Sequence, residues 1–289
     1  MRTIKQEYTD SGEFHLSMSQ DGQQIEFKAK DVEVAGDATD IESIGPHGYL
    51  FIAEERRGLQ RTLRIEPNSD GQLKRSYSIQ GMERTFDAEA RDWLARNLLD
   101  FVRQSGVGAE ARVRWLLRHR GPVGVLDEIS QIKNNPLKSI YFSTLVRTGD
   151  LDSATLVKAV GQARREITSP TALADFLTGL VEHAGKNSDL CQAFFKASES
   201  INAANERRRV LSSALRAEPP VQEMLRSAIQ SSATLNSEHE VADFLIEVTR
   251  VHRINEDLRP AFLAVMTQMR SRHYQQQVVN ALALNEAPH

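Results

Sequence analysis

Residues 167–177 read ITSPTALADFL, 201–211 read INAANERRRVL, 235–245 read LNSEHEVADFL and 269–279 read MRSRHYQQQVV, each starting 34 residues after the last. Phe176, Val210, Phe244 and Val278 fall in register, as do Leu177, Leu211, Leu245 and Val279. The second part of each unit agrees as well: Leu156, Leu190, Met224 and Leu258 are 34 apart, and so are Val160, Phe194, Ala228 and Phe262. An earlier unit opens at Asn135-Pro136, with Phe142 standing 34 before Phe176, and residues 110–132 form a weaker copy. The apolar spacing is helical, with room for two helices of about 12–15 residues per unit. A hairpin of that size cannot bury its apolar face alone, whereas stacked neighbours share one continuous core. The repeat therefore predicts a right-handed α-solenoid of about five helical hairpins, HEAT-like or tetratricopeptide-like, over residues 87–289.

The same repeat explains a near-miss to a zinc motif. His239-Glu240 opens like H-E-x-x-H, but position 243 is aspartate. Ser237 occupies the position of Ser169, a helix N-cap followed by Pro170 at the first helical position, where no amide hydrogen is needed. Asn135 with Pro136 predicts the same pair. Glu240, three residues after Ser237, completes a capping box in which each side chain accepts from the other's backbone amide. His239 lies at the position of Thr171 and Asn205, in a solvated first turn, and Asp243 matches Asp175 in a unit without histidine. A zinc site needs three or more protein ligands, so capping is the preferred reading and no metal or other cofactor is expected. The rival is a metal-dependent hydrolase using His239 and Asp243, with His252 as a further ligand.

Up to residue 86 the period is two, not 3.6. Phe14, Leu16 and Met18 share a face, as do Ile25, Phe27 and Ala29, Val32 and Val34, Leu63 and Ile65, and Tyr77 and Ile79. Asp21-Gly22 and Asp70-Gly71 suit tight hairpins, and Gly45-Pro46 and Gly58 mark other reversals. The fold class is α+β in two parts: an antiparallel β domain of about seven strands over 1–86, then the helical repeats over 87–289. Thr85 or Asp87 caps the first helix, which carries Ala90, Trp93, Leu94, Leu98, Phe101 and Val102 on one side.

Residues 1–90 hold 11 basic and 17 acidic groups, and 91–289 hold 25 and 22. Neither balance is that of a typical nucleic-acid binder. No apolar run approaches the ~18 residues of a membrane span, and the start shows no signal-peptide core, so a cytoplasmic protein is expected, or a periplasmic one if a leader precedes it. The single cysteine, Cys191, allows no intrachain disulfide and reads as a packed thiol beside Leu190 and Phe194.

Three charged clusters remain. Arg112, Arg114, Arg118, His119 and Arg120 alternate with Val113, Leu116 and Leu117, as on the wet face of an amphipathic helix. Arg207, Arg208 and Arg209 spread around another helix, so at least one points outward. Asp31, Glu33, Asp37, Asp40 and Glu42 lack calcium-loop spacing and suit a polar strand edge or loop. No G-x-S-x-G elbow, phosphate loop or dinucleotide fingerprint occurs. The polar letters that change from repeat to repeat while their apolar neighbours persist are the candidate partner face: Asp175, Arg208, Arg209 and Asp243, with Arg112 and Arg114 as further candidates. A protein or peptide is the expected partner. Nucleic acid along a basic groove of Arg112, Arg114 and Arg118 is the disfavoured alternative.

The runs DIESIGPHGYLFIAEE (40–55), RTFDAEARDWLARNLLDFVRQSG (84–106) and EARVRWLLRHRGPVGVLDEISQIKN (110–134) resemble bacterial proteins of unassigned activity. They are similar to the soluble region attached to membrane metallopeptidases of the beta-lactam-sensor type. The resemblance covers most of residues 40–150. It implies a sensing or interaction portion and no catalytic residue, since the peptidase's H-E-x-x-H and membrane helices are not carried over.

Overall fold

The computed structural model describes residues 3–217 and 221–286. Seven strands come first: β1 Thr3–Tyr8, β2 Phe14–Gln20, β3 Gln23–Val34, β4 Ile41–Arg56, β5 Leu59–Pro67, β6 Leu73–Ile79 and β7 Met82–Arg84. They pair in chain order as one antiparallel meander. The alternation does what its period requires: Phe14, Leu16, Ile25, Phe27, Leu50, Ile52, Leu63, Ile65 and Tyr77 are buried on one face. Hairpins turn at Asp21-Gly22, Arg57-Gly58 and Gln80-Gly81, where both residues have positive φ, the backbone twist that suits two-residue connections.

Gly45-Pro46 does not reverse the chain but lies inside the long strand β4. The pairing of β3 with β4 shifts register around Asp31, whose φ is 47°. A side chain on Gly48 would meet the Lys30 carbonyl at 2.5 Å, so a glycine is required beside this bulge. Beyond Ala29, β3 pairs with β4 alone, which puts Asp31 and Glu33 along a strand edge.

Helix α1 (Ala88–Ser105) is capped by Asp87, whose side chain accepts from the Ala90 amide. Its buried stripe of Ala90, Trp93, Leu94, Leu98, Phe101 and Val102 closes the sheet's core, with the Phe101 ring stacked 4.9 Å from that of Phe27. Helix α2 (Ala109–Gln131) is broken at Gly121 (φ 64°, ψ −173°) just before Pro122. Arg112 of α2 donates to the Gly36 and Asp37 carbonyls of the β3–β4 connection. The compact units therefore divide at residue 137, into 1–137 and 138–289, and not near 87. An amphipathic helix whose stripe fits the open sheet face belongs to the sheet, whatever its period.

The remaining helices are α3 Asn135–Thr148, α4 Ser153–Glu166, α5 Pro170–Ala184, α6 Ser188–Ser198, α7 Ala204–Leu215, α8 Gln222–Ser232, α9 Glu238–Val251, α10 Arg259–Gln268 and α11 Arg272–Glu286. Side-chain caps start several of them: Asp152 for α4, Ser169 for α5, Asn187 for α6 and Ser237 for α9. For α3 the cap is Asn134, which accepts from Leu137 at 3.0 Å, one residue earlier than the Asn135-Pro136 reading. From α4 onward, each helix packs on the next and on the one after that: α4 on α6, α6 on α8, α8 on α10, and α5 on α7, α7 on α9, α9 on α11. The register positions Phe142, Phe176, Val210, Phe244 and Val278 are all essentially solvent-free. Among the described residues, no helix is long and apolar enough to cross a membrane.

Candidate functional site

The polar positions singled out by the repeat are brought together, largely by one another. Arg209 on α7 donates to Asp175 on α5 at 2.7 Å and to Glu206 on its own helix at 2.9 Å. Partial burial works against its charge, but those two carboxylates outweigh the effect and raise its pKa above the ordinary arginine value. Arg208 donates to Glu240 on α9 and lies 3.9 Å from Glu247, which also accepts from Arg216 at 2.6 Å. Asp243 stands 3.8 Å from His239, one turn away. These side chains form a half-exposed polar ladder across α5, α7 and α9. Arg207, next to Arg208 in sequence, is buried instead and donates to the carbonyls of Ser231, in the last turn of α8, and of Thr234 just beyond it. That burial lowers its pKa.

Other polar contacts join residues 32 to 36 apart in the chain. Asn236 donates to the Asn202 carbonyl, and Asn285 to the carbonyls of Thr249 and His252. Glu238 accepts from the Arg270 and Ser271 amides, both at 2.8 Å, which satisfies free donors at the start of α11. Those hydrogen bonds hold the Glu238 carboxyl below its ordinary pKa.

Arg112 is not available to a partner. It is 6% exposed, and its guanidinium meets Glu128 at 3.5 Å besides the two carbonyls of the β3–β4 connection. Arg103 donates twice to the same carboxylate, at 2.9 and 2.8 Å. Burial pushes the Glu128 pKa up, but the hydrogen bonds and charge of Arg103 and the charge of Arg112 more than reverse it. Arg114 is exposed and pairs with Glu110 one turn earlier, at 2.6 Å. His119 stacks on Trp115, 4.3 Å between ring centres. The proposed basic groove thus loses its first member to the interior of the N-terminal unit.

His239, Glu240 and Asp243 each offer one ligand atom within 4.8 Å of the others. The expected capping box is half formed: Ser237 Oγ accepts from the Glu240 amide at 3.4 Å, while the Glu240 carboxylate turns to Arg208. His252 stands outside this group; its Nε2 donates to the Leu215 carbonyl at 2.6 Å. His239 and Glu240 sit on the first turn of α9, where the helix dipole favours anions over cations, and Asp243 follows one turn later.

A second site was not anticipated. In the N-terminal unit a cleft of about 560 Å³ is lined by Gln23, Glu54, Arg56, Arg57, Arg61 and Trp93 among others from β3, β4, β5 and α1. Glu54 is 8% exposed and accepts from Trp93 Nε1 and, at 2.6 Å, from Gln23 Nε2. The signal was present in YLFIAEE: Glu54 continues the inward face of Leu50 and Ile52, a carboxylate where the alternation calls for an apolar residue.

No known family, curated protein or solved structure matches the chain.

Proposed function

We propose that this chain is a non-catalytic protein- or peptide-interaction scaffold, with residues 135–286 forming an α-solenoid of HEAT-like or tetratricopeptide-like helical hairpins. One observation carries the reading: from α4 onward every helix packs on its second neighbour. Two interleaved rows of this kind leave one side of each helix facing solvent, and a surface built from successive equivalent helices suits an extended partner held through many modest contacts. The ladder of Asp175, Arg209, Arg208 and Asp243 lies along one such row and offers alternating charge to that partner. The resemblance of residues 40–150 to soluble regions of sensor-type metallopeptidases agrees with an interaction role. The test is selection from a peptide-display library against the purified chain, followed by binding to the Asp175→Lys and Asp243→Lys variants. Selected peptides that lose affinity for both variants support the reading; peptides indifferent to both, or no enrichment, remove it.

A second reading, a metal-dependent hydrolase, is favoured by the convergence of His239, Glu240 and Asp243. The Arg208 contact to Glu240 and the helix dipole oppose it. Zinc content of protein prepared without a histidine tag decides the matter: stoichiometric metal lost in His239→Ala supports this reading, and none ends it.

A further inference from the structure

We propose that the cleft between the β4–β5 hairpin and α1 binds a small zwitterion, a free amino acid or a dipeptide with both termini charged. Its floor is a buried carboxylate with no cation within ion-pair distance among the described residues. Glu54 is hydrogen-bonded by two neutral donors, Trp93 and Gln23, while its cross-strand neighbour Arg61 pairs with Glu89, and a buried charge hydrogen-bonded only by neutral groups is costly to hold. An ammonium group arriving from solvent would offset that cost.

The rim carries the opposite charge. Arg56, Arg57 and Arg96 line the same cleft, are exposed, and have no side-chain hydrogen bond or ion pair with any described residue. The backbone under two of them is fixed by the tight turn, with φ of 51° at Arg57 and 75° at Gly58. The wall between floor and rim is Arg61, paired with Glu89 at 2.9 Å; its Nε–H is buried without an acceptor. Asp100 also lines the cleft, so a polyanion would meet two carboxylates not neutralised by arginine. A ligand with one carboxylate for the rim and one ammonium for Glu54 satisfies both ends. The cleft's volume lies within the range of small-molecule sites.

Calorimetric titration of the purified chain with the common amino acids and with glycyl-leucine tests this. N-acetyl-glycyl-leucine, which lacks the ammonium, and glycyl-leucinamide, which lacks the carboxylate, serve as controls. At least one zwitterion is expected to bind at millimolar concentration or better, with each blocked form about tenfold weaker, the worth of one charge-assisted hydrogen bond. Arg96→Ala, an exposed change, should weaken the zwitterion about tenfold and leave the amide's binding unchanged. Glu54→Gln, which keeps an acceptor for Trp93, should do the reverse, weakening the zwitterion and sparing the acetylated form. Unchanged thermal unfolding of Arg96→Ala separates loss of a contact from loss of fold. Failure of every zwitterion to bind, or equal binding of free and acetylated peptide, overturns the proposal.

Discussion

Arg209 and Asp175 are 34 residues apart in the chain and 2.7 Å apart in space. Both are half-exposed, so their pairing registers one helix against the next more than it stabilises either. Asp175→Ala is expected to lower stability by about 0.2–1 kcal/mol, and by less at high salt because exposed charges are screened. Denaturant titration at two ionic strengths checks this.

Phe176 and Val279 occupy neighbouring columns of the same register, yet Phe176 is 1% exposed and Val279 is 40% exposed. Phe176→Ala should cost about 3–5 kcal/mol through lost burial and the cavity left behind. Val279→Ala should cost about 0.5 kcal/mol or less. The contrast, read by urea unfolding, tests whether the repeat's apolar columns are the core.

Glu128 binds Arg103 and Arg112 with its carboxyl held below the ordinary glutamate pKa. Its contribution to stability is therefore complete above the unfolded-state pKa and is lost as pH falls through the lower folded-state value. Glu128→Gln should cost about 3–5 kcal/mol at neutral pH, since it strands buried Arg112 without a counter-charge. The variant's stability should also fall less steeply than the parent's on the acid side. Thermal unfolding followed from neutral to acid pH reads both effects.

Cys191 is buried, and that burial, with a smaller push from Glu223, raises its thiol pKa to about 11. At neutral pH it should react with a disulfide reagent far more slowly than a free thiol, because the thiolate is the nucleophile. Stopped-flow labelling with and without denaturant shows the difference. Fast labelling of the native chain would contradict the burial.

The strand alternation and the helix starts at Asp87, Ser169 and Ser237 were legible because both rest on local chemistry. Alternation marked Phe14, Leu16 and Met18, and capping marked Ser169 and Ser237. Arg112 was misjudged because a helical wheel sorts residues by type, and an arginine that meets Glu128 and two carbonyls is indistinguishable in sequence from one that meets water. The division at 137 was missed for a related reason. Periodicity shows that α1 has an apolar stripe, but not that the open face of the sheet is what the stripe covers. Glu54 was legible in hindsight, as a charge out of place in an apolar alternation. The arginines that line the same cleft come from strands, a turn and a helix whose mutual placement no local pattern records.

The main packing partners of α7 are α5, α6, α8 and α9, so strain in this part of the chain passes only to near neighbours. The proposed solenoid, pulled by its ends, should yield in a train of small steps, each helix pair letting go and refolding on its own account. A lesion at one position would then soften the molecule there and leave distant turns of the stack intact.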